Sequence, residues 1–178
     1  MSLGTRDRTA APPRAPFDAV FATAFGKLGI RTEADALAEI LFLPDSVRPR
    51  APVTALAARA GAQVERYLRD PGFRFHLPLQ AVGTPFQRRV WDAIAAIPRG
   101  RTRSYGGIAR DLGSAPRAVG QACGENRFPL VIPCHRVVSA SGIGGFAHAE
   151  DGYLLRIKRW LLSHEGASAG SGPAKSVS

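Results

Sequence analysis

The chain has 178 residues, enough for one domain or two small ones with a hydrophobic core. Apolar residues make up 45% of the sequence, which excludes a largely disordered chain, and the formal net charge of +10 predicts a polyanionic partner such as nucleic acid or an acidic membrane surface. No apolar run approaches the roughly 20 residues of a transmembrane helix. Two cysteines, Cys123 and Cys134, are too few for a disulfide framework or a four-cysteine zinc site, so we expect a soluble cytoplasmic protein.

The two ends of the chain differ in composition from the part between them. Residues 1–16 are rich in Pro, Ala and Arg, and residues 167–178 are rich in Gly, Ser and Ala, so we expect a flexible leader and a flexible tail. Residues 17–80 carry the pattern of a small mixed α/β domain. This domain is predicted to contain one helix, at 54–68, and three strands, at 17–25, 38–43 and 73–79.

From Thr84 onward the pattern becomes helical, and residues 84–166 are predicted to form a second domain. Thr84 can cap a helix that opens with Pro85 and continues to Ala95. The Pro-Arg-Gly sequence at 98–100 then ends the helical pattern.

A pair of short helices follows this first helix. Ser104 can cap a helix over 105–112, which Gly113 closes, and after a brief turn a second helix is predicted over 117–124. Two short helices joined by a tight turn are typical of a helix-turn-helix, although two ordinary packed helices give the same pattern.

One cysteine lies in a distinctive setting. An apolar segment leads to Cys134, which directly precedes His135 and Arg136. A thiol flanked by imidazole and guanidinium groups is expected to have its nucleophilic thiolate form favoured electrostatically. Taken alone, the pair is explained equally well by a buried, inert cysteine beside a surface histidine. The other cysteine, Cys123, falls in the second short helix and is interpreted as a packing residue.

Spaced motifs between residues 84 and 166 make the pattern specific. They are TPFQRRVW at 84–91, IPRGRTRSY at 97–105, RAVG at 117–120, Asn126, PCHRVV at 133–138 and WLLSHEG at 160–166. In this order they resemble the O6-alkylguanine-DNA alkyltransferases, also called methylated-DNA–protein-cysteine methyltransferases. The resemblance implies an α/β (α+β) fold, with a small N-terminal α/β domain and a mainly helical, winged-helix-like C-terminal domain that contains the helix-turn-helix. The N-terminal segment resembles the family only loosely.

The resemblance also implies a function in DNA repair. The protein would bind double-stranded DNA through the minor groove, flip out an O6-alkylguanine, and transfer the alkyl group irreversibly to Cys134 in one turnover. The thioether product offers water no carbonyl to attack, so the protein is consumed. No cofactor, metal or membrane is implied, and the protein is expected to act as a monomer. The zinc site of some relatives cannot form as described there, because no cysteine precedes Cys123.

Five residues are predicted by resemblance to carry the chemistry. His135 would act as the base for Cys134 through an ordered water, and Glu165 would orient and charge the imidazole. Tyr105 would present its hydroxyl to N3 of the flipped guanine and help protonate it. Asn126 would brace the helix-turn-helix against the active-site loop. An exposed carboxylate and a core tyrosine are the simpler interpretations of Glu165 and Tyr105.

The resemblance assigns further residues to DNA and to the base pocket. Arg117 would fill the space that the flipped base leaves, with a phosphate contact as the alternative. Small residues on the same helix would allow close approach to the groove; these are Ala118, Gly120 and Ala122. Arg136, two residues after the cysteine, would contact phosphate. The pocket would be lined by Pro129, Val137, Phe146 and Ala147. Relatives have an aromatic–serine pair in the pocket-closing loop over 141–148; its nearest match is Phe146-Ala147, whereas a count from Cys134 places His148 at the serine.

Two other functions fit parts of the pattern. A non-enzymatic helix-turn-helix protein that binds alkylguanine lesions without repairing them would lack the reactive cysteine, yet Cys134 is present. A helix-turn-helix regulator with a redox-sensing cysteine would need side chains that read base edges, but the second short helix consists mostly of small residues.

Overall fold

The computed structural model describes residues 16–146 and 152–167. The predicted leader and tail therefore lie almost wholly outside the described residues, as do Ala147 and His148 of the pocket-closing loop. Within the described ranges the fold is mixed α/β, as predicted, with a three-stranded antiparallel sheet, a two-stranded parallel sheet and five α-helices. None of the helices in these ranges is both long enough and apolar enough to cross a membrane.

The N-terminal sheet has the strand order β1 (Ala19–Thr23), β2 (Gly26–Glu33) and β3 (Ala36–Leu43). The two outer strands were predicted, but β2 was missed because polar residues interrupt its apolar alternation. Only Leu28 and Ile30 face the core there, and both are fully buried. Sheet pairing rather than local sequence therefore determines this strand.

The prediction of a strand at 73–79 is wrong. In this segment only Leu79 forms a bridge, to Leu37, and no ladder continues from it. Pro78 has no N–H to donate, although its carbonyl accepts from Leu37 N at 2.7 Å. The alternating apolar residues of the segment instead pack against the core from an irregular backbone.

The helix predicted in the N-terminal half is confirmed as α1 (Ala55–Arg69). Thr54 caps it, its Oγ1 accepting from Ala57 N at 3.0 Å. The helix packs closely on the sheet at Gly61, where an added Cβ would lie 2.3 Å from the ring of Phe21.

The predicted helix-turn-helix is present and packs on a capped first helix. That helix, α2 (Pro85–Ala95), begins with a capping box formed by Thr84 and Gln87. It is followed by α3 (Tyr105–Leu112) and α4 (Pro116–Gly124), which pack against each other and against α2. α4 begins one residue earlier than predicted, because Pro116 has the backbone geometry of a first helical residue.

The segment that contains Cys134 lies between the helix-turn-helix and the last helix. It forms a short 3-10 turn (Cys134–Arg136) that continues into β5 (Val137–Val138), which pairs in parallel with β4 (Arg103–Ser104). The helix α5 (Tyr153–His164) contacts this turn. The turn is thus positioned by β5, which pairs with β4, and by α5.

The two halves of the described chain share one hydrophobic cluster. Ile40 N, in the N-terminal sheet, donates to the carbonyl of Arg127 at 2.8 Å. The rings of Phe42 and Phe146 lie 5.4 Å apart, and those of Phe25 and Trp160 lie 5.5 Å apart. The N-terminal sheet therefore packs directly on the segments that surround the cysteine.

Candidate active site

Cys134 is buried, and a single amide holds its sulfur. Asn126 Nδ2 donates to Cys134 Sγ at 2.9 Å and to the carbonyl of Ile132 at 2.9 Å, while Asn126 Oδ1 accepts from Phe128 N at 2.9 Å. All three contacts lie between the end of α4 and the 3-10 turn. Asn126 therefore braces this connection, and it also contacts the sulfur of Cys134, which was not predicted.

The resting form of Cys134 is the thiol. Its Sγ lies 3.6 Å from the carbonyl oxygen of Cys123, to which the S–H can donate. Contact with Cys123 and burial raise the pKa of Cys134 well above its ordinary value, and the opposing effects of Asn126 and Lys158 do not cancel this rise. The flanking basic residues therefore do not make the thiolate the resting form of Cys134.

His135 is almost completely buried and is oriented by Glu165. The distance from His135 Nε2 to Glu165 Oε1 is 2.9 Å. Because an ionised carboxylate only accepts hydrogen bonds, Nε2 carries the proton and Nδ1 is left as the basic nitrogen. Within the described residues no direct hydrogen bond joins His135 to Cys134, so contact through water remains a proposal.

The two partners of this pair have displaced pKa values. Burial raises the pKa of Glu165, but hydrogen bonds and charges from His135 and Arg136 outweigh burial and bring the pKa to about 2. Burial lowers the pKa of His135 below its ordinary value, although Glu165 opposes this change. The imidazole is therefore neutral near pH 7. The carboxylate orients the ring and favours its charged form, but burial outweighs this effect.

Arg136 faces the interior rather than DNA. Its Nε and Nη2 donate to Glu165 Oε2 at 2.9 Å and Oε1 at 2.8 Å, and its Nη1 donates to the carbonyl of Ile97 at 2.7 Å. Only 13% of its side chain is exposed. The structure gives no support to the predicted phosphate contact, because three guanidinium N–H groups bind Glu165 and the Ile97 carbonyl.

Lys158 is a buried cation that sequence reasoning missed. Its side chain, on α5, is fully buried, and Nζ donates to the carbonyl oxygens of Val137 and Gly145 at 2.8 Å each. Burial lowers the pKa of Lys158 to about 8, with Cys123 and Cys134 opposing the change. A signal was present, because this lysine interrupts the apolar face of an amphipathic helix in a chain whose basic residues are mostly arginine.

Tyr105 shares the acceptor Gly145 O with Lys158. Its hydroxyl donates to Gly145 O at 3.1 Å, and its ring centroid lies 5.9 Å from Lys158 Nζ. Burial raises the pKa of Tyr105, so the hydroxyl stays protonated and available as a donor. Of the other predicted pocket residues, Pro129, Val137 and Phe146 are buried, whereas Ala147 lies outside the described residues.

The outer face of α4 presents only part of the predicted DNA-binding set. Arg117 is exposed at the start of the helix, and Ala118 and Gly120 are partly buried. Ala122 is only 2% exposed, and its carbonyl accepts from Trp91 Nε1 at 2.8 Å. Its predicted place on the outer face is wrong, because helical spacing puts it with Val119 on the inner face.

The described residues contain no group of three or more His, Cys, Asp or Glu side chains placed to hold a metal ion. The groups gathered around Cys134 are instead an amide, a buried ammonium and a hydrogen-bonded imidazole–carboxylate pair. This set suits proton transfer from a thiol followed by nucleophilic attack of its sulfur.

Comparison with known proteins identifies the family. Residues 85–167 match the family model of the 6-O-methylguanine DNA methyltransferase DNA-binding domain. The chain is 44% identical over 111 residues to a constitutive methylated-DNA–protein-cysteine methyltransferase of Bacillus subtilis; the match covers 61% of this chain and 65% of the relative, just under two thirds. It is 43% identical over 105 residues to the methylated-DNA–protein-cysteine methyltransferase of Archaeoglobus fulgidus, covering 58% of this chain and 71% of that one.

A solved structure extends the similarity to both halves of the chain. The crystal structure of Mycobacterium tuberculosis OGT in complex with DNA superposes with a TM-score of 0.67 at 35% identity, covering 82% of this chain and 90% of that one. The similarity therefore includes the N-terminal sheet as well as the helix-turn-helix. The chain belongs to the O6-methylguanine-DNA methyltransferase family, the methylated-DNA–protein-cysteine methyltransferases.

Proposed function

We propose that this chain is a DNA-repair protein that flips O6-alkylguanine out of duplex DNA and transfers the alkyl group irreversibly to Cys134 in a single turnover. The observation that carries the proposal is the buried Cys134 thiol, held by Asn126 and followed directly by the His135–Glu165 pair. The family membership supports alkyl transfer as the reaction. The protein acts on DNA in the cytoplasm as a monomer.

The chemistry begins with removal of the thiol proton. His135 Nδ1 receives this proton through a water molecule, and Glu165 keeps the ring in the required orientation. Cys134 Sγ then attacks the alkyl carbon, so that the S–C bond forms as the bond from carbon to guanine O6 breaks. The electron pair of the broken bond stays on the guanine, which Tyr105 protonates at N3, and the proton held by His135 returns through water to the Tyr105 oxygen. Overall, sulfur exchanges a proton for the alkyl group, and the guanine ends with the proton.

DNA recognition is assigned to the helix-turn-helix. Arg117 is exposed at the start of α4, where it can enter the space that the flipped base leaves. Ala118 and Gly120 have little or no side chain, so the backbone of α4 can approach the minor groove closely. The net charge of +10 supports a polyanionic partner. In this proposal residues 84–166 form the DNA-binding and alkyl-acceptor domain, and residues 17–80 form the N-terminal domain.

The direct test uses a duplex that contains O6-methylguanine with a radiolabelled methyl group. We expect one labelled methyl per protein molecule, located on Cys134 by mass spectrometry, and no further turnover. Cys134→Ser should abolish transfer and keep affinity for the lesion, whereas the matched variant Cys123→Ser should still accept the methyl group. A methyl group found on Cys123, or a wild-type protein that binds the lesion without transfer, would contradict the proposal.

A further inference from the structure

Glu165 receives a hydrogen bond from the N-terminal half of the chain. The hydroxyl of Tyr67, on α1, donates to Glu165 Oε1 at 2.8 Å. The same oxygen accepts from His135 and Arg136, so three donors converge on one carboxylate atom. Tyr67 is 2% exposed and Glu165 is 4% exposed, so solvent does not compete strongly for these contacts.

A second contact fixes Tyr67 against the end of α5. The carbonyl oxygen of Tyr67 accepts from His164 Nε2 at 2.9 Å, and the two rings meet edge to face with centroids 5.2 Å apart. The ring of Phe75 packs on Tyr67 at a centroid distance of 5.6 Å. One residue of α1 thus holds both His164 and Glu165, which are consecutive in the chain. This two-point attachment sets the position of the Glu165 carboxylate relative to α1.

The hydroxyl of Tyr67 can act only as a donor to Glu165. Burial raises the pKa of Tyr67, and the negative charge of Glu165 raises it further, so the phenol stays neutral. A donor on Oε1 disperses the charge of the carboxylate and weakens its pull on the proton of His135 Nε2. Arg136 and Lys158 are the other charged groups that act on His135, and both lower its pKa.

We propose that Tyr67 is a positioning residue of the alkyl-transfer centre, with its hydroxyl holding Glu165 in the orientation that fixes His135. The N-terminal half of the chain then completes the centre instead of serving only as a support. This inference rests on the proposed function, in which His135 takes the proton of Cys134. Tyr67 acts through Glu165 and touches neither DNA nor the sulfur in this role.

The test compares Tyr67→Phe with the control Tyr153→Phe. Tyr153 begins α5, and its hydroxyl makes no hydrogen bond within residues 16–146 and 152–167. The pKa of His135 is measured by NMR titration in the absence of DNA, with the signal assigned by a His135→Gln variant. We expect Tyr67→Phe to raise the pKa of His135 by about 0.5 unit, because the carboxylate has lost one donor, and Tyr153→Phe to leave it unchanged.

Methyl transfer provides the second measurement. In Tyr67→Phe the acidic limb of the rate–pH profile should move to higher pH by the same amount, so that the rate at pH values on that limb falls about threefold. An unchanged pKa of His135 in a folded Tyr67→Phe protein would overturn the proposal. So would a shifted pKa with an unchanged rate profile, since a residue that only supports the fold would leave that profile in place.

The titration also separates this inference from the proposed function. If the wild type transfers no methyl group, the proposed function fails, while the NMR titration still reads the coupling of Tyr67 to His135. If Tyr67→Phe does not fold, 3-fluorotyrosine at position 67 replaces it. The fluorinated hydroxyl is a stronger donor, so the pKa of His135 should fall rather than rise, and no change would overturn the proposal.

Discussion

The ammonium group of Lys158 donates to the carbonyl oxygen of Val137 at 2.8 Å. Val137 begins β5, the strand that follows the 3-10 turn of Cys134. The other acceptor of Lys158, Gly145 O, also accepts from the hydroxyl of Tyr105. Within the described residues no carboxylate reaches this cation. Because Arg136 is paired with Glu165, Lys158 is the unbalanced positive charge near the thiol.

Replacing this cation should weaken the nucleophile. We expect Lys158→Met to raise the pKa of Cys134 further and to slow methyl transfer about tenfold or more, because a charge that favours the thiolate is lost and both carbonyls lose their donor. Thiolate absorbance against pH and single-turnover rates measure the two effects.

A matched control for this substitution exists in the N-terminal sheet. Lys27 Nζ also donates to two carbonyl oxygens, those of Asp45 and Val47, but in a region that does not contact Cys134. Lys27→Met should therefore leave the thiol titration unchanged. Equal losses in both variants would show that lysine–carbonyl contacts only support the backbone.

The local signals in the sequence predicted the helices α2 and α3. Thr84 and Pro85 mark the start of α2, and Ser104 and Gly113 mark both ends of α3, because capping depends on residues within one turn of the helix end. The strand β2 was not predictable in this way, since its pattern becomes regular only when both neighbours are paired to it.

The candidate site shows the same division between local and distant information. The cysteine, histidine and glutamate were predicted from motifs by resemblance to the family. The inward turn of Arg136 was not, because its acceptor Glu165 lies 29 residues away, and the donor Tyr67 lies 98 residues from the same carboxylate. Whether a charged side chain faces DNA or the interior depends on which distant carboxylate the fold brings to it.

Acid should destabilise the protein through Glu165. Its pKa in the fold, about 2, lies below its ordinary value of 4.5, so the native state favours the ionised form. This contribution to stability is fully present above pH 4.5 and is lost as the pH falls toward 2. The displacement corresponds to about 3 kcal/mol. Urea unfolding at pH 6, 4.5 and 3 should show this loss in the wild type.

Glu165→Gln should remove most of that pH dependence, whereas Glu65→Gln should retain it. Glu65 pairs with Arg69 on the surface of α1, where both side chains are largely exposed, so this pair contributes little to folding. A Glu165→Gln protein with the full acid sensitivity of the wild type would show that other carboxylates cause it.

Arg117→Ala should slow repair of duplex DNA far more than reaction with free O6-benzylguanine. The side chain that fills the vacated space is lost, so the flipped state becomes less favourable by about 1–3 kcal/mol, a few-fold to a hundredfold in rate. Arg69→Ala, an exposed arginine on α1, is the control. Equal losses on both substrates would show that Arg117 supports the fold or the thiolate instead.

The salt dependence of DNA binding tests whether either of the two arginines first assigned to DNA contacts phosphate. Each phosphate contact that is lost reduces the slope of log K against log [salt] by about 1. Arg136→Gln should leave the slope unchanged, because its guanidinium is bound to Glu165 and Ile97. It should instead destabilise the fold by about 3–5 kcal/mol, because a buried carboxylate is left poorly paired.

Arg117→Gln should change the stability of the fold little. If this variant reduces the slope, Arg117 also contacts phosphate. Binding to unmodified duplex at several salt concentrations, below the unfolding temperature of each variant, measures both slopes. A slope reduced by Arg136→Gln would mean that this arginine leaves Glu165 to contact phosphate when DNA binds.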